Sequence, residues 1–207
     1  LYCFEVDGTQ KPGWPVSVEV KAYSSPAVGD VDGDGDLEIA VTSKAWKTWI
    51  FDHEGIVLSG WPKTVESNGD FPPSPVFADL TGNGELELLQ VSSIGKVWVW
   101  DREGNTLPGW PQQLGGTTKS SPAVADVDGD PALEIIVGCD DGKLYAFDMD
   151  GTPLNGWPIL TDAEIYGSPT VDDVDGDGDN EVIIGGMDTN VYIWDTPGDY
   201  DEGNGVE

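Results

Sequence analysis

Apolar residues along the chain come in runs of four or five, set apart by glycine, aspartate and proline. None follows the three-to-four spacing of an amphipathic helix. The most informative runs are TWIFD (48–52), VWVWD (97–101), LYAFD (144–148) and VYIWD (191–195). Each places two aromatics two residues apart: Trp49/Phe51, Trp98/Trp100, Tyr145/Phe147 and Tyr192/Trp194, with Tyr2/Phe4 as a fifth pair. Strand alternation puts such a pair on one face. The intervening Cys3, Ile50, Val99, Ala146 and Ile193 are mostly apolar too, which predicts sheets covered on both faces.

Three further runs recur around this one. SSPAVGDV (24–31) has relatives PSPVFADL, SSPAVADV and GSPTVDDV, and EIAV (38–41) has ELLQ, EIIV and EVII. We label these strands a and b and the aromatic run strand c. A glycine-containing turn (HEG, REG, MDG) follows c, as in a hairpin, and strand d then runs toward a Gly-Trp-Pro marker. The marker tryptophans are Trp14, Trp61, Trp110 and Trp157, and an acidic loop opens at Asp30, Asp79, Asp126 and Asp173. Two unrelated markers keep one period of about 47 residues, as repeat architectures do.

Small four-stranded antiparallel sheets, buried on both faces and repeated at that period, predict an all-β fold of β-propeller blades. A β-sandwich has no reason to repeat so regularly. The expected organisation is a partial blade over 1–22 (strands c and d) and complete blades over 23–66, 67–115 and 116–163. A second partial blade over 164–198 (a, b and c) and an acidic tail over 199–207 follow. Joining the ends would leave one strand c over. The readings are therefore a piece of a larger propeller, or a subunit whose open ends meet other copies of itself, up to a fibre, with an untidy closed four-bladed ring as the remaining alternative.

The acidic loops carry the candidate chemistry. In DVDGDGDLE (30–38), Asp at positions 1, 3 and 5 and an acid at 9 converge oxygens on one point, with a glycine at 6 for the sharp turn. Such charges repel one another unless a hard divalent cation sits among them, so each loop reads as a Ca²⁺ site, up to four in all. The ligands are Asp30, Asp32, Asp34 and Glu38 with the carbonyl of Asp36. In the second loop they are Asp79, Thr81, Asn83 and Glu87 with that of Glu85. The third uses Asp126, Asp128, Asp130 and Glu134 with Ala132, and the fourth Asp173, Asp175, Asp177 and Glu181 with Asp179. An EF-hand is excluded, because position 12 is Val41, Gln90, Val137 or Ile184 rather than a bidentate Glu. The second loop, with two side-chain charges where the others have four, is expected to bind most weakly. The third has Pro131 in place of the glycine; its geometry must differ, and its occupancy is left open.

Composition narrows the partners. A formal charge of −30, from 39 acidic and 9 basic residues among 207, argues against nucleic acid and anionic membrane. Nine Trp, six Tyr and five Phe argue against disorder. No apolar stretch approaches the roughly 20 residues that span a bilayer. Leu1 opens no signal peptide, so the chain reads as mature, trimmed or a fragment. Cys3 and Cys139 make no disulfide framework; they pair with each other, pair with another copy, or stay as thiols.

SSPAVGDVDGDGDLEIAV and its three relatives resemble the FG-GAP/VCBS repeats of extracellular proteins, similar to the calcium-binding blades of integrin alpha subunits. The resemblance implies a propeller with Ca²⁺ in its a–b loops, in secreted or surface proteins. The chain departs from the pattern in using Glu at position 9 and in having few repeats. No catalytic constellation can be assembled: the single His53 sits in a hairpin turn, and the paired carboxylates are explained by metal. The Gly-Trp-Pro tryptophans read as packing between blades. Trp46, where other copies have Gly95, Gly142 and Thr189, reads first as local packing, with a partner or glycan contact as the alternative. The expected function is a calcium-stabilised, extracellular, non-enzymatic propeller for structure, adhesion or self-assembly. The alternatives are the propeller portion of a secreted polysaccharide-acting enzyme, lyase-like, and a glycan- or protein-binding module.

Overall fold

The computed structural model describes residues 1–67 and 71–196. Among these residues all regular structure is β: fifteen strands in four antiparallel sheets. The first sheet runs β1 (Ala27–Gly29), β2 (Glu38–Thr42), β3 (Lys47–Phe51), β4 (Lys63–Thr64). The second is β5 (Val76–Ala78), β6 (Glu87–Val91), β7 (Lys96–Trp100), β8 (Gln112–Gln113). The third is β9 (Ala123–Ala125), β10 (Glu134–Gly138), β11 (Lys143–Phe147), β12 (Ile159–Leu160). The last has three strands, β13 (Thr170–Asp172), β14 (Glu181–Gly185) and β15 (Val191–Asp195). Each sheet is a meander with sequential strands as neighbours, which is the blade of a propeller.

Strands a, b and c fall where the apolar runs place them, with Ala27 opposite Ala40 and Ile39 opposite Phe51. Strand d differs. Its ladder lies after the Gly-Trp-Pro marker, at Lys63–Thr64 opposite Thr48–Lys47, with one isolated bridge before it, Phe51 to Val57. The marker itself bulges out of the sheet, since Pro62 has no N–H to give the ladder. Residues 1–22 show a bridge between Phe4 and Gln10 and backbone bonds from Lys11 to Cys3 and from Val16 to Leu1, short of a ladder. Strand c elsewhere is held on one side by strand b, and residues 1–22 contain no such neighbour. The tail over 199–207 lies outside the described residues.

The core lies between blades. Ala40, Ile50, Trp61 and Val65 of the first blade close on Leu88 and Trp100 of the second. Leu89, Val99 and Trp110 of the second close on Ile135, Val137 and Phe147 of the third. Ile136, Leu144 and Ala146 then meet Val182 and Ile184. The five aromatic pairs of strand c each stack on one face, with ring centroids 5.5 to 6.2 Å apart. That face meets the preceding blade, and the intervening apolar residues meet the following one. Burial on both faces therefore holds for the inner blades only. Tyr2 and Phe4 at one end, and Val191 and Ile193 at the other, are exposed.

Polar ties repeat with the blades. The Ser25 N–H donates to Ser74 Oγ, Ser74 to Ser121 and Ser121 to Ser168, at 2.9, 2.9 and 3.0 Å. At the rim, the indole N–H of Trp14, Trp61 and Trp110 donates to the carbonyls of His53, Arg102 and Met149 in the next blade's c–d turn. That approach leaves no room for a side chain before the tryptophan: a Cβ on Gly109 would lie 1.7 Å from the Asp150 carbonyl oxygen. Gln90, buried where the other copies carry an apolar residue, accepts from Thr42 Oγ1 of the preceding blade and donates to the carbonyls of Pro73 and Val91.

Candidate metal centres

The four acidic loops are the a–b connections, and all are folded around a buried acid. Glu38, Glu87, Glu134 and Glu181 open strand b, and none is more than 4% exposed. Each lies at a strand start, so its side chain turns back into the loop. There Oε2 accepts the N–H of the position-2 residue: Val31, Leu80 and Val127 at 2.8 Å, and Val174 at 2.7 Å.

The rest of the loop winds about the first Asp. Asp30 Oδ1 accepts from Gly33 and Oδ2 from Gly35, and Asp173 accepts in the same way from Gly176 and Gly178. In the second loop Asn83 and Gly84 donate to Asp79. Asp126 receives only Asp128 and Gly129, because Pro131 has no N–H to offer at position 6. The proline thus changes the loop as its backbone requires, and it leaves positions 1, 3 and 9 together.

Those three positions converge. In Asp30/Asp32/Glu38, Asp126/Asp128/Glu134 and Asp173/Asp175/Glu181, one oxygen from each residue lies within 4.8 Å of the others. Asp34, Asp130 and Asp177 at position 5 stand outside these groups and accept the N–H of Asp36, Ala132 and Asp179 at position 7. In the second loop Asn83 does the same for Glu85, and Thr81 donates to Glu87 Oε1 at 3.3 Å. No group of three acids forms there among the described residues.

The electrostatics are those of a site that expects positive charge. Glu134 Oε1 and Glu181 Oε1 are buried with no hydrogen-bond partner among the described residues. Burial pushes the Glu134 carboxyl from an ordinary 4.5 up to about 7, with Asp128, Asp126 and Asp130 adding repulsion. Glu38 and Glu87 are raised for the same first cause, burial, and at Glu87 the Thr81 hydroxyl works against the rise. A buried carboxylate oxygen with no donor, among like charges, fits a hard divalent cation bound through oxygens. The donor sets of the first, third and fourth loops fit such an ion.

Trp46 packs locally: it is 7% exposed, set among Ala40, Ile50, Trp61 and Trp100, and held at φ +58°, and the partner or glycan contact falls away. The turn there requires a left-handed residue, which Gly95 and Gly142 supply at φ +77°. Arg102 joins the loops. It is the only arginine in the chain; Nη1 lies 3.4 Å from the Asp32 carbonyl oxygen and 3.7 Å from Glu85 Oε1, linking the first two loops. A lone arginine in a turn gives no signal of that role in one sequence. His53 is exposed on the same face, its Nδ1 3.6 Å from Asp36 Oδ2. Cys3 and Cys139 are free thiols, the latter buried.

Residues 30–90 match the model of an FG-GAP-like repeat, and residues 94–201, just over half of the chain, match that of a λ-carrageenase β-propeller domain. The chain is an FG-GAP/VCBS repeat β-propeller, of the λ-carrageenase propeller-domain type. No curated protein matches this propeller. Among solved structures it is similar to the computationally designed Ika4 protein, at TM-score 0.61 and 15% identity over 87% of this chain and 94% of that one. It is also similar to BamB from Moraxella catarrhalis, at TM-score 0.58 and 16% identity, covering 90% of this chain and 53% of BamB. The V. cholerae biofilm matrix protein Bap1 gives TM-score 0.58 and 19% identity, with 88% of this propeller covered and 32% of Bap1. The propeller thus spans about half of BamB and a third of Bap1. These likenesses show the fold.

Proposed function

We propose that the chain is a calcium-stabilised extracellular propeller unit with a non-enzymatic structural or adhesive role. Its exposed end faces are completed by further blades, those of a larger propeller or of other copies of itself. The observation that carries the reading is the pair of buried, partnerless oxygens on Glu134 and Glu181. Glu134 closes on Asp126 and Asp128, and Glu181 on Asp173 and Asp175. Ca²⁺ suits such sites, and extracellular modules bind it at roughly 10⁻⁴–10⁻³ M, a level found outside cells. The FG-GAP repeat supports that location; among the described residues no helix is long and apolar enough to cross a membrane. The ion ties strand a to strand b in every loop that holds it.

Thermal unfolding with and without EDTA tests the metal's role. A large drop in melting temperature on chelation is expected, and an unchanged one removes it. Electron microscopy of the purified chain tests completion by other copies. Rings or fibres are expected, and dispersed single chains refute it.

The match of 94–201 to a λ-carrageenase propeller domain favours a second reading, the propeller portion of an enzyme acting on polysaccharide. Lys11, Asp36 and His53 line one cleft of about 410 Å³ with Cys3, a place where such chemistry would reside. Incubation with sulfated and uronic-acid polysaccharides, followed for new reducing ends, decides it. Cleavage that His53→Ala abolishes supports the enzyme, and no cleavage of any substrate rejects it.

A further inference from the structure

We propose that the second loop, 79–87, dispenses with the ion altogether, and that Thr81 does there what a cation does in the other three. The saturated chain then carries one ion fewer than it has loops. This rests on reading the other loops as calcium sites.

All four loops pose one physical problem. A buried glutamate spends one oxygen on the backbone N–H of position 2 and has a second oxygen left over. A carboxylate at position 3, as in Asp32, Asp128 and Asp175, has no proton to give, so that oxygen calls for a cation. Glu134 and Glu181 show the unsolved case directly, with Oε1 buried and unpartnered. Position 3 of the second loop is Thr81, and a hydroxyl is a donor. Its Oγ1 lies 3.3 Å from Glu87 Oε1, so both oxygens of Glu87 are bonded within the protein.

The charge around the loop agrees. Thr81 and Asn83 remove two of the four carboxylates found at the equivalent positions elsewhere. Asn83 Oδ1 is engaged by the Glu85 N–H at 2.7 Å, and Asp79 by Asn83 and Gly84. Arg102 then sets a fixed positive charge 3.7 Å from Glu85. A divalent ion entering here would meet few negative charges and no orphaned oxygen. The second blade is closed by hydrogen bonds where its neighbours are closed by metal.

The test counts ions on the full chain by native mass spectrometry after EDTA stripping and calcium titration. It compares the parent with Thr81→Asp/Asn83→Asp, which restores the acids of the other loops. The double variant is expected to hold one ion more than the parent. Equal non-zero counts overturn the proposal while leaving the calcium reading intact. No ion on the parent overturns the calcium reading itself. Thr81→Val supplies a second readout by removing the hydroxyl at nearly constant shape. Melting should fall by roughly 2–10 °C in EDTA and in calcium alike, as a buried oxygen loses its donor. A drop seen only in calcium would make Thr81 an ion ligand and refute the idea.

Discussion

Replacing Glu134 by glutamine should stabilise the calcium-free chain and destabilise the calcium-loaded one. In the absence of metal, burial first and then Asp128, Asp126 and Asp130 hold the Glu134 carboxyl at about 7, against an ordinary 4.5. Between those values the native chain binds more protons than the unfolded one, so stability falls as pH rises. The stability that the neutral carboxyl permits is fully present below 4.5 and lost as pH climbs through 7. At about 1.4 kcal/mol per pH unit, the loss approaches about 3 kcal/mol in mild alkali. Glutamine keeps the shape, keeps a carbonyl for the Val127 N–H, and turns an N–H₂ toward the Asp126 and Asp128 carboxylates. In EDTA at about pH 8 the variant should therefore melt higher than the parent, by at most roughly 6–12 °C. The gap should close at about pH 4, where the parent carboxyl is protonated anyway. In calcium the sign should reverse, because the variant has lost a charged ligand. Scanning calorimetry in these three conditions reads all of it. A variant that melts lower than the parent in EDTA at alkaline pH would refute the reasoning, since Glu134 would then be stabilising as an anion without any metal.

Trp61→Ala removes an indole packed edge-on against Trp100 at 5.7 Å and bonded to the Arg102 carbonyl at 2.9 Å. A loss of about 3–5 kcal/mol in urea unfolding is expected, and less than about 1 kcal/mol would deny the tryptophan its part in joining blades. Gly109→Ala places a Cβ against the Asp150 backbone at φ +85°, whereas Gly8→Ala has the same φ and open space. The first should fail to fold or melt far lower, and the second should cost only about 1–2 kcal/mol. Similar melting points would remove the steric reason for the marker glycine. Burial pushes the Cys139 thiol up to about 12, so it should resist an aromatic disulfide reagent in the folded chain while Cys3, half-buried, reacts. Two thiols released before unfolding would contradict that.

The blades were legible because two signals coincide in every copy: a period-2 alternation short enough for a strand, and markers spaced by a whole repeat. Each inner strand c buries one residue set against the blade before and the other against the blade after, and sequence alternation reports both. The ends of the array escape that logic. Tyr2 and Val191 carry the same pattern as Trp49 and Val97, yet they are exposed, because burial there depends on a neighbour and not on the strand. Strand d is poorly legible because the alternation beside Gly-Trp-Pro is weak, and the proline marks a bulge rather than an end. The loops were legible through their carboxylate spacing, which located the residues that gather at positions 1, 3 and 9. Side-chain chemistry across blades was not. Nothing local tells that Gln90 will meet Thr42 or that Arg102 will reach Asp32 and Glu85.

The serine chain from Ser25 to Ser168 joins residues 49, 47 and 47 positions apart, and the tryptophan latches step from blade to blade in the same way. Each serine tie connects a position with its own counterpart one unit onward, and each tryptophan latch reaches the same c–d turn position of the next blade. Copying or deleting a whole unit of the gene would therefore leave each surviving donor facing a matching acceptor, while cutting at half a unit would orphan all of them at once. Molecules built on this plan can lengthen or shorten over evolution in quanta of one blade, without any intermediate that has to tolerate a broken seam.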